Sequence, residues 1–400
     1  MSAAGADLPA GSGSPEPPPA SGAIPLVGLR PRPRTATFVD PRSWVFWVIV
    51  ALAVAAFLET MPLVIESLLA NPASGALAAV LWTLYGVIFA SVVYGMELFE
   101  RRSLVNIAGA VAWGALVAVG VSRVGGAAMR TLVQGWLGED SPWLSAVSAP
   151  LVEEPLKALG VVALALIPGA RIRTVADGAF YGGMIGLGFQ VVEGFLYTAR
   201  TAALSGEAMQ TVGSMFILRG LVAGLWSHAA FTAVAGMGVA YFFVSVASLW
   251  RRWGVLIGML AASMVLHGFL NSPLVAGSPW VAALIKGVPI TTGLVVALRV
   301  SWRREREVFA RMAKVTVPDH LVSPADFEVL GSRRARREAL VEMRERHGVQ
   351  AARDLRAMQR AQLQLLVAAH TDGLVSSRAA EAAGRVTAAR SALAWSVVGR

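Results

Sequence analysis

The chain has 400 residues, of which 56% are hydrophobic and only 15% are charged, and its formal charge is +10. This composition, with several apolar runs of at least ~18 residues, indicates a membrane protein that crosses the bilayer several times. The chain has no cysteine, which excludes disulfide bonds, a cysteine nucleophile and cysteine-bound zinc.

The first 42 residues are rich in proline, glycine, alanine and serine. Such a composition cannot bury enough apolar surface to fold, so residues 1–42 are predicted to be a disordered cytoplasmic tail. The segment is too proline-rich and too long before the first apolar run to be a secretory signal.

Residues 43–300 are predicted to form an all-α membrane helix bundle of about eight transmembrane helices. The predicted spans are 43–69, 76–98, 104–124, 143–167, 174–199, 215–247, 253–272 and 279–300. Cytoplasmic loops of membrane proteins are enriched in lysine and arginine, and this bias predicts that both termini lie in the cytoplasm. The residues that carry the bias are Arg101 with Arg102, Arg171 with Arg173, and Arg251 with Arg252.

Residues 301–400 differ in kind, with 18 basic and 11 acidic residues. The segments 333–347 and 351–369 have helical spacing, so we predict a soluble, cytoplasmic helical tail. Its basic excess suggests proximity to an anionic inner leaflet, because no nucleic-acid-binding signature accompanies it. Nothing in this tail has the pattern of a catalytic site.

Two adjacent carboxylates and a lysine interrupt the apolar run 143–167. They are Glu153, Glu154 and Lys157. Ionisable groups at membrane depth cost at least ~2.5 kcal/mol each and therefore usually face a polar interior. Glu153 and Lys157 are four residues apart and share a helix face. The simplest interpretation is a charge pair that fixes one helix against another.

The next three spans also carry polar groups: Glu193, then His228, then His267 with Asn271 four residues further on. Counted along the predicted spans at 1.5 Å per residue, the carboxylates and imidazoles fall in the outer half of the bilayer at overlapping depths. A single membrane histidine is usually a packing residue, but four consecutive spans bearing Glu or His favour one functional site.

Carboxylates and imidazoles at one site suit a divalent metal such as zinc, with one coordination position left for water. A second carboxylate could then take a proton from that water as general base. The same groups could also activate water without a metal, with a glutamate as base and a histidine as orienting partner. The sequence leaves both alternatives open.

At these positions the chain resembles the PrsW-type intramembrane proteases, which belong with the CAAX-processing and bacteriocin-processing membrane peptidases. The resemblance covers about residues 45–300 and rests on four motifs in the family's order. They are Glu153-Glu154-Pro155-Leu156-Lys157, Phe189 to Glu193, His228, and His267 with Asn271. Gly194 departs from the asparagine that family members often have after the second-motif glutamate.

The resemblance implies hydrolysis of peptide bonds in membrane-protein substrates with a single span, possibly anti-sigma factors, in the cell membrane. It implies that Asn271 stabilises the oxyanion and that Lys157 pairs with Glu153 or Glu154. The implied catalytic residues are Glu153, Glu154, Glu193, His228, His267 and Asn271, and the implied metal ligands are Glu153, Glu193, His228 and His267. Two rival hypotheses are a non-catalytic transporter-like or scaffold protein and a metal-independent glutamate-type peptidase. No nucleic-acid partner is expected.

Overall fold

The computed structural model describes residues 44–95, 103–167, 172, 174–224, 227–245, 247–275 and 277–398. The regular elements in these ranges are all helices, which confirms the predicted all-α class. In chain order they are α1 (Trp44–Ala70), α2 (Pro72–Gly95), α3 (Leu104–Ala112), α4 (Val119–Leu137), α5 (Leu144–Leu166), α6 (Val175–Ala203), α7 (Ala208–Phe216), α8 (His228–Val244), α9 (Leu249–Asn271), α10 (Pro279–Thr316), α11 (Pro324–Leu330), α12 (Arg333–Asp372) and α13 (Ser377–Val398). The predicted tail 1–42 and the arginines 101, 102, 171 and 173 lie outside the described residues.

Six helices in the described ranges are long and apolar enough to cross a membrane. They are Phe46–Ala70, Pro72–Gly95, Leu104–Leu137, Val175–Ala203, Leu249–Asn271 and Pro279–Val296. Helix α5 has 23 residues, but the two glutamates and the lysine near its middle lower its apolar character. The protein is therefore a multi-pass membrane protein in which one helix of spanning length carries a cluster of charge.

The predicted span 215–247 is wrong as a single helix. Helix α7 continues into a π-helical turn, Ile217–Val222, and α8 begins separately at His228. A second π-helical turn, Trp113–Ala118, joins α3 to α4 without interrupting the helix. Widened turns of this kind occur preferentially at functional sites. The break places His228 in the first turn of a helix instead of within one.

Helices α6 and α8 pack backbone to backbone in an antiparallel pair. A Cβ on Gly178, Gly182 or Gly186 would lie only 2.1–2.2 Å from a backbone oxygen of α8. The oxygens are those of Gly236, Thr232 and His228, which descend along α8 as the glycines ascend α6. Small residues four apart permit this approach within a membrane. Because Gly186 contacts the backbone of His228, this close packing holds the histidine against α6.

Helices α5 and α9 form a second close pair at the opposite side of the site. A Cβ on Gly268 would lie 2.6 Å from the backbone oxygen of Ala146. The interface between α8 and α9 is different, because Gly238 packs there against the flexible side chain of Met259. Among the site helices, the α6–α8 and α5–α9 interfaces are thus tight backbone contacts, whereas a side chain mediates the α8–α9 interface at Gly238.

The C-terminal helices α11, α12 and α13 surround an apolar cluster of their own, which includes Leu330, Leu365 and Val386. Arg390 donates a hydrogen bond to Asp326 at 3.0 Å and so links α13 to α11. Partial burial alone would raise the pKa of Asp326, but hydrogen bonds from Ser323 and Arg390 outweigh burial and lower the pKa. The division of the chain at residue 300 stays a prediction, since α10 runs across it to Thr316.

Candidate active site

Lys157 lies at the centre of the cluster and is completely buried. Its Nζ is 2.9 Å from Glu153 Oε2, 2.9 Å from Glu154 Oε1 and 2.8 Å from His228 Nδ1. A lysine ammonium has three donors, and these three contacts use all of them. The Phe189 ring covers the fourth side, with its centroid 3.8 Å from Nζ. The predicted pairing of Lys157 therefore involves both glutamates.

Glu154 is the innermost carboxylate and has no exposed surface. Besides Lys157, its Oε1 contacts His267 Nδ1 at 2.9 Å, and its Oε2 accepts a hydrogen bond of 2.8 Å from Ser263. Thr232 approaches the same Oε2 at 3.5 Å. Because both oxygens have partners, burial of this charge is compensated. Glu154 thus fastens α5 to α9.

The outer part of the cluster is formed by Glu153, Glu193 and His228. The side chains of Glu153 and Glu193 are 13% and 19% exposed. His228 lies between the two carboxylates, with Nε2 3.0 Å from Glu193 Oε2 and Nδ1 3.9 Å from Glu153 Oε2. Since Lys157 donates to Nδ1, the Nε2 of a neutral His228 carries the proton and donates to Glu193. This side of the cluster, which has accessible surface, is called the open side below.

Arg219 extends the cluster further on its exposed side. It lies in the π-helical turn after α7, donates a hydrogen bond of 3.0 Å to Glu193 Oε2, and is 33% exposed. Its guanidinium also stacks 4.2 Å from the ring centroid of Tyr197. Sequence analysis did not single out Arg219. It lies in the same predicted span, 215–247, as His228, but an apolar run alone does not indicate which arginine faces a site.

Two aromatic rings pack against the imidazoles. Phe189 packs 4.9 Å from His228, and Phe231 stacks on His267 with centroids 5.2 Å apart. The two imidazole centroids are themselves 5.1 Å apart. Apolar walls of this kind exclude bulk water and strengthen the electrostatic interactions they enclose.

Ser227 and Gln190 hold the start of α8. Ser227 donates a hydrogen bond of 2.9 Å to Gln190 Oε1, and Gln190 Nε2 donates at 3.2 Å to the hydroxyl of Tyr85. Ser227 directly precedes His228, so this buried chain of hydrogen bonds positions the histidine. The sequence motif from Phe189 to Glu193 contains Gln190, but its role depends on the break before α8, which sequence analysis missed.

The structure brings Glu153, Glu154, Glu193, His228 and His267 together through the contacts described above. Asn271 is different, because it is the last residue of α9 and its side chain is exposed, outside the buried cluster. Gly194 has a packing explanation: a Cβ there would lie 2.3 Å from the indole of Trp82. The asparagine common in the family could be accommodated here only if that tryptophan moved.

The cluster has the donor types of a zinc site. Glu153, Glu154, His228 and His267 each offer one ligand atom, and these four atoms lie within 4.8 Å of one another. Neutral imidazole and carboxylate are normal zinc ligands, so the residues fit a divalent ion in chemistry and in proximity. Glu154 takes the place in this group that the sequence-based ligand set gave to Glu193.

Residues 102–300 match the model of the PrsW family, described as intramembrane metalloproteases. The chain belongs to the PrsW family. A search of curated proteins and a search of solved structures return no match. The matched region begins just before α3, ends within α10 and contains every residue of the cluster. This PrsW-family protein is thus an intramembrane protease, and its substrates are membrane proteins in a lipid bilayer.

Proposed function

We propose that this PrsW-family protease hydrolyses a peptide bond within single-span membrane proteins, with Glu153 as the general base. The observation that carries the proposal is the difference in exposure between the two adjacent glutamates. Glu153 is 13% exposed, whereas Glu154 is fully buried. Hydrolysis needs a water molecule beside the base, and only a carboxylate in contact with the open side can receive one.

The contacts of the two glutamates support the same assignment. Glu153 is held by Lys157 through Oε2, with His228 at 3.9 Å, and the structure describes no hydrogen bond to its Oε1. Glu154 has partners on both oxygens, and a carboxylate so occupied is suited to orienting its neighbours. The resemblance implied Glu153 as a metal ligand, whereas these contacts favour Glu153 as the base.

The proposed reaction follows from these positions. Glu153 takes a proton from water while the water oxygen forms a bond to the peptide carbonyl carbon. Glu193 and His228 line the same open side and orient that water. The carbon–nitrogen bond then breaks, and Glu153 returns its proton to the leaving amine. We propose Asn271, one turn beyond His267 along α9, as a donor to the developing oxyanion.

The proposed cofactor is a divalent metal, with zinc as the candidate ion. Glu154, His228 and His267 would hold it, a set of two histidines and one glutamate that occurs in catalytic zinc sites. Bound there, the metal would polarise the carbonyl and lower the pKa of a bound water. Glu153 would keep its role as base. The alternative is a metal-independent glutamate-type peptidase. It is favoured by Lys157, because this residue contacts two of the candidate ligand residues, at Glu154 Oε1 and His228 Nδ1.

The test is cleavage of a single-span reporter reconstituted with the protein in lipid vesicles. Wild type is expected to cut within the span, with the site mapped by mass spectrometry, and Glu153→Gln is expected to abolish the product. Glu207→Gln is the matched control, because Glu207 is exposed and precedes α7. Cleavage that persists in folded Glu153→Gln would refute the assignment. A single-span anti-sigma factor is the narrower substrate class to include among the reporters.

A further inference from the structure

Lys157 occupies the position that a metal ion would need. Its Nζ lies within 2.9 Å of Glu153 Oε2, Glu154 Oε1 and His228 Nδ1, and the residues of these atoms supply three of the four possible ligands. A metal binds such oxygens and nitrogens at about 2.0–2.2 Å. An ion bound to the same atoms would therefore be almost in contact with Nζ.

Two cations cannot share this space. The interior around Nζ is closed by the Phe189 ring, and Lys157, Glu154 and His267 are 3% exposed or less. Little water is present there to screen repulsion between an ammonium and a divalent ion. The donors that would attract the metal are also already engaged, because the lysine uses all three of its protons on them.

We propose that Lys157 is the resident cation of the site and competes with a divalent metal for the same donors. Metal binding then requires the lysine to withdraw from Glu154 and His228. The proposal deepens the proposed function and rests on the same cluster, but it concerns only which cation the cluster holds. It makes Lys157 a positioning residue that fixes the carboxylates and His228 when no metal is bound.

The first experiment measures zinc affinity in lipid nanodiscs by equilibrium dialysis and metal analysis, with a purification tag that contains no histidine. Lys157→Met removes the charge and keeps the length of the side chain, and it is expected to bind zinc more tightly than wild type. The expected gain is roughly 10- to 100-fold, the range over which neighbours of metal ligands change affinity. Adding His267→Ala to Lys157→Met should remove the gain.

Lys286→Met is the matched control. Lys286 is also a buried lysine, but its Nζ donates to the backbone oxygens of Leu270 and Ser272 at the end of α9. Its removal takes away one buried ammonium outside the cluster, so zinc affinity should stay at the wild-type value. A folded Lys157→Met that binds zinc no more tightly than wild type would overturn the proposal.

A second measurement uses the wild-type protein, because Lys157→Met could fail to fold with its carboxylates unpaired. Amine-reactive labelling of Lys157, read by mass spectrometry, should rise at least severalfold when zinc is bound, while labelling of Lys286 should not change. Bound zinc with unchanged Lys157 labelling would contradict the proposal. Reporter cleavage, measured separately, distinguishes a failure of the metal inference from a failure of the protease assignment.

Discussion

Substitution of the two adjacent glutamates should have opposite consequences. Glu153→Gln should lower the rate of cleavage and leave the protein almost as stable as wild type. Glu154→Gln should lower the stability first, because this side chain connects α5 to α9 from a fully buried position. The substitutions are chemically identical and one residue apart, so any difference between them comes from their surroundings.

The magnitudes follow from the contacts. Loss of a general base typically costs a factor of about 10²–10⁴ in rate. The stability cost at Glu153 should be about 1.5 kcal/mol, the low end for a hydrogen bond to a charged group, because its one such bond is to Lys157 and the side chain is partly exposed. At Glu154, loss of the charge leaves Lys157 without its fully buried counter-charge and His267 without its carboxylate partner. Removing one partner of a buried ion pair costs about 3–5 kcal/mol.

The assay is thermal unfolding in nanodiscs beside reporter cleavage on the same preparations. The expected pattern is a nearly unchanged melting temperature with lost cleavage for Glu153→Gln, and a clearly lowered melting temperature for Glu154→Gln. If instead Glu154→Gln melts like wild type and lacks activity, while Glu153→Gln remains active, then Glu154 is the base and the argument from exposure is wrong.

Four further predictions test the packing, the topology and the tail. Gly186→Ala should destabilise the protein by about 1–3 kcal/mol in thermal unfolding, because the added Cβ collides with the adjacent backbone of α8. Reporter fusions after Arg252 should read cytoplasmic and those near Ser141 external; an external signal at Arg252 would contradict the predicted orientation of both termini. A protein truncated after Pro318 keeps α10 whole and should still cleave the reporter, whereas a well-folded but inactive truncation would refute the predicted domain division. Because the pKa of Asp326 is lower in the folded tail than its ordinary value of 3.8, its ionised carboxylate stabilises the tail at pH values above 3.8, and this contribution is lost as the pH falls through the folded-state pKa. Asp326→Asn should therefore weaken the tail in chemical denaturation at pH 7 and have little effect at strongly acidic pH.

Most of the helices could be predicted because an apolar run long enough to cross a membrane has few alternative structures. The sequence patterns for α1, α2, α6 and α9 agree with the observed helices to within several residues. The break before His228 could not be predicted in this way, since residues on both sides of it are equally apolar. The π-helical turn before the break shifts the backbone hydrogen-bond register without changing the composition, so a hydropathy profile cannot detect this turn.

The members of the buried cluster could be named from sequence, whereas their catalytic roles stay predictions. The order of Glu and His across consecutive spans indicates that they converge, and the buried cluster agrees with that expectation for all of them except Asn271. Which glutamate is accessible depends on how α5 rotates toward α9, a property of packing against Ser263 and Thr232. The sequence shows that the two glutamates are adjacent, but it does not predict the rotation of α5.

The two glycine-packed helix pairs each carry one carboxylate and one imidazole of the site. Glu154 and His267 belong to the α5–α9 pair, whereas Glu193 and His228 belong to the α6–α8 pair. Lys157 joins the pairs through its contact with His228, and α8 also packs along α9 at Met259. A larger residue at Gly186 or Gly268 should therefore first displace the carboxylate and imidazole of its own pair, because these glycines set the distance between the two backbones.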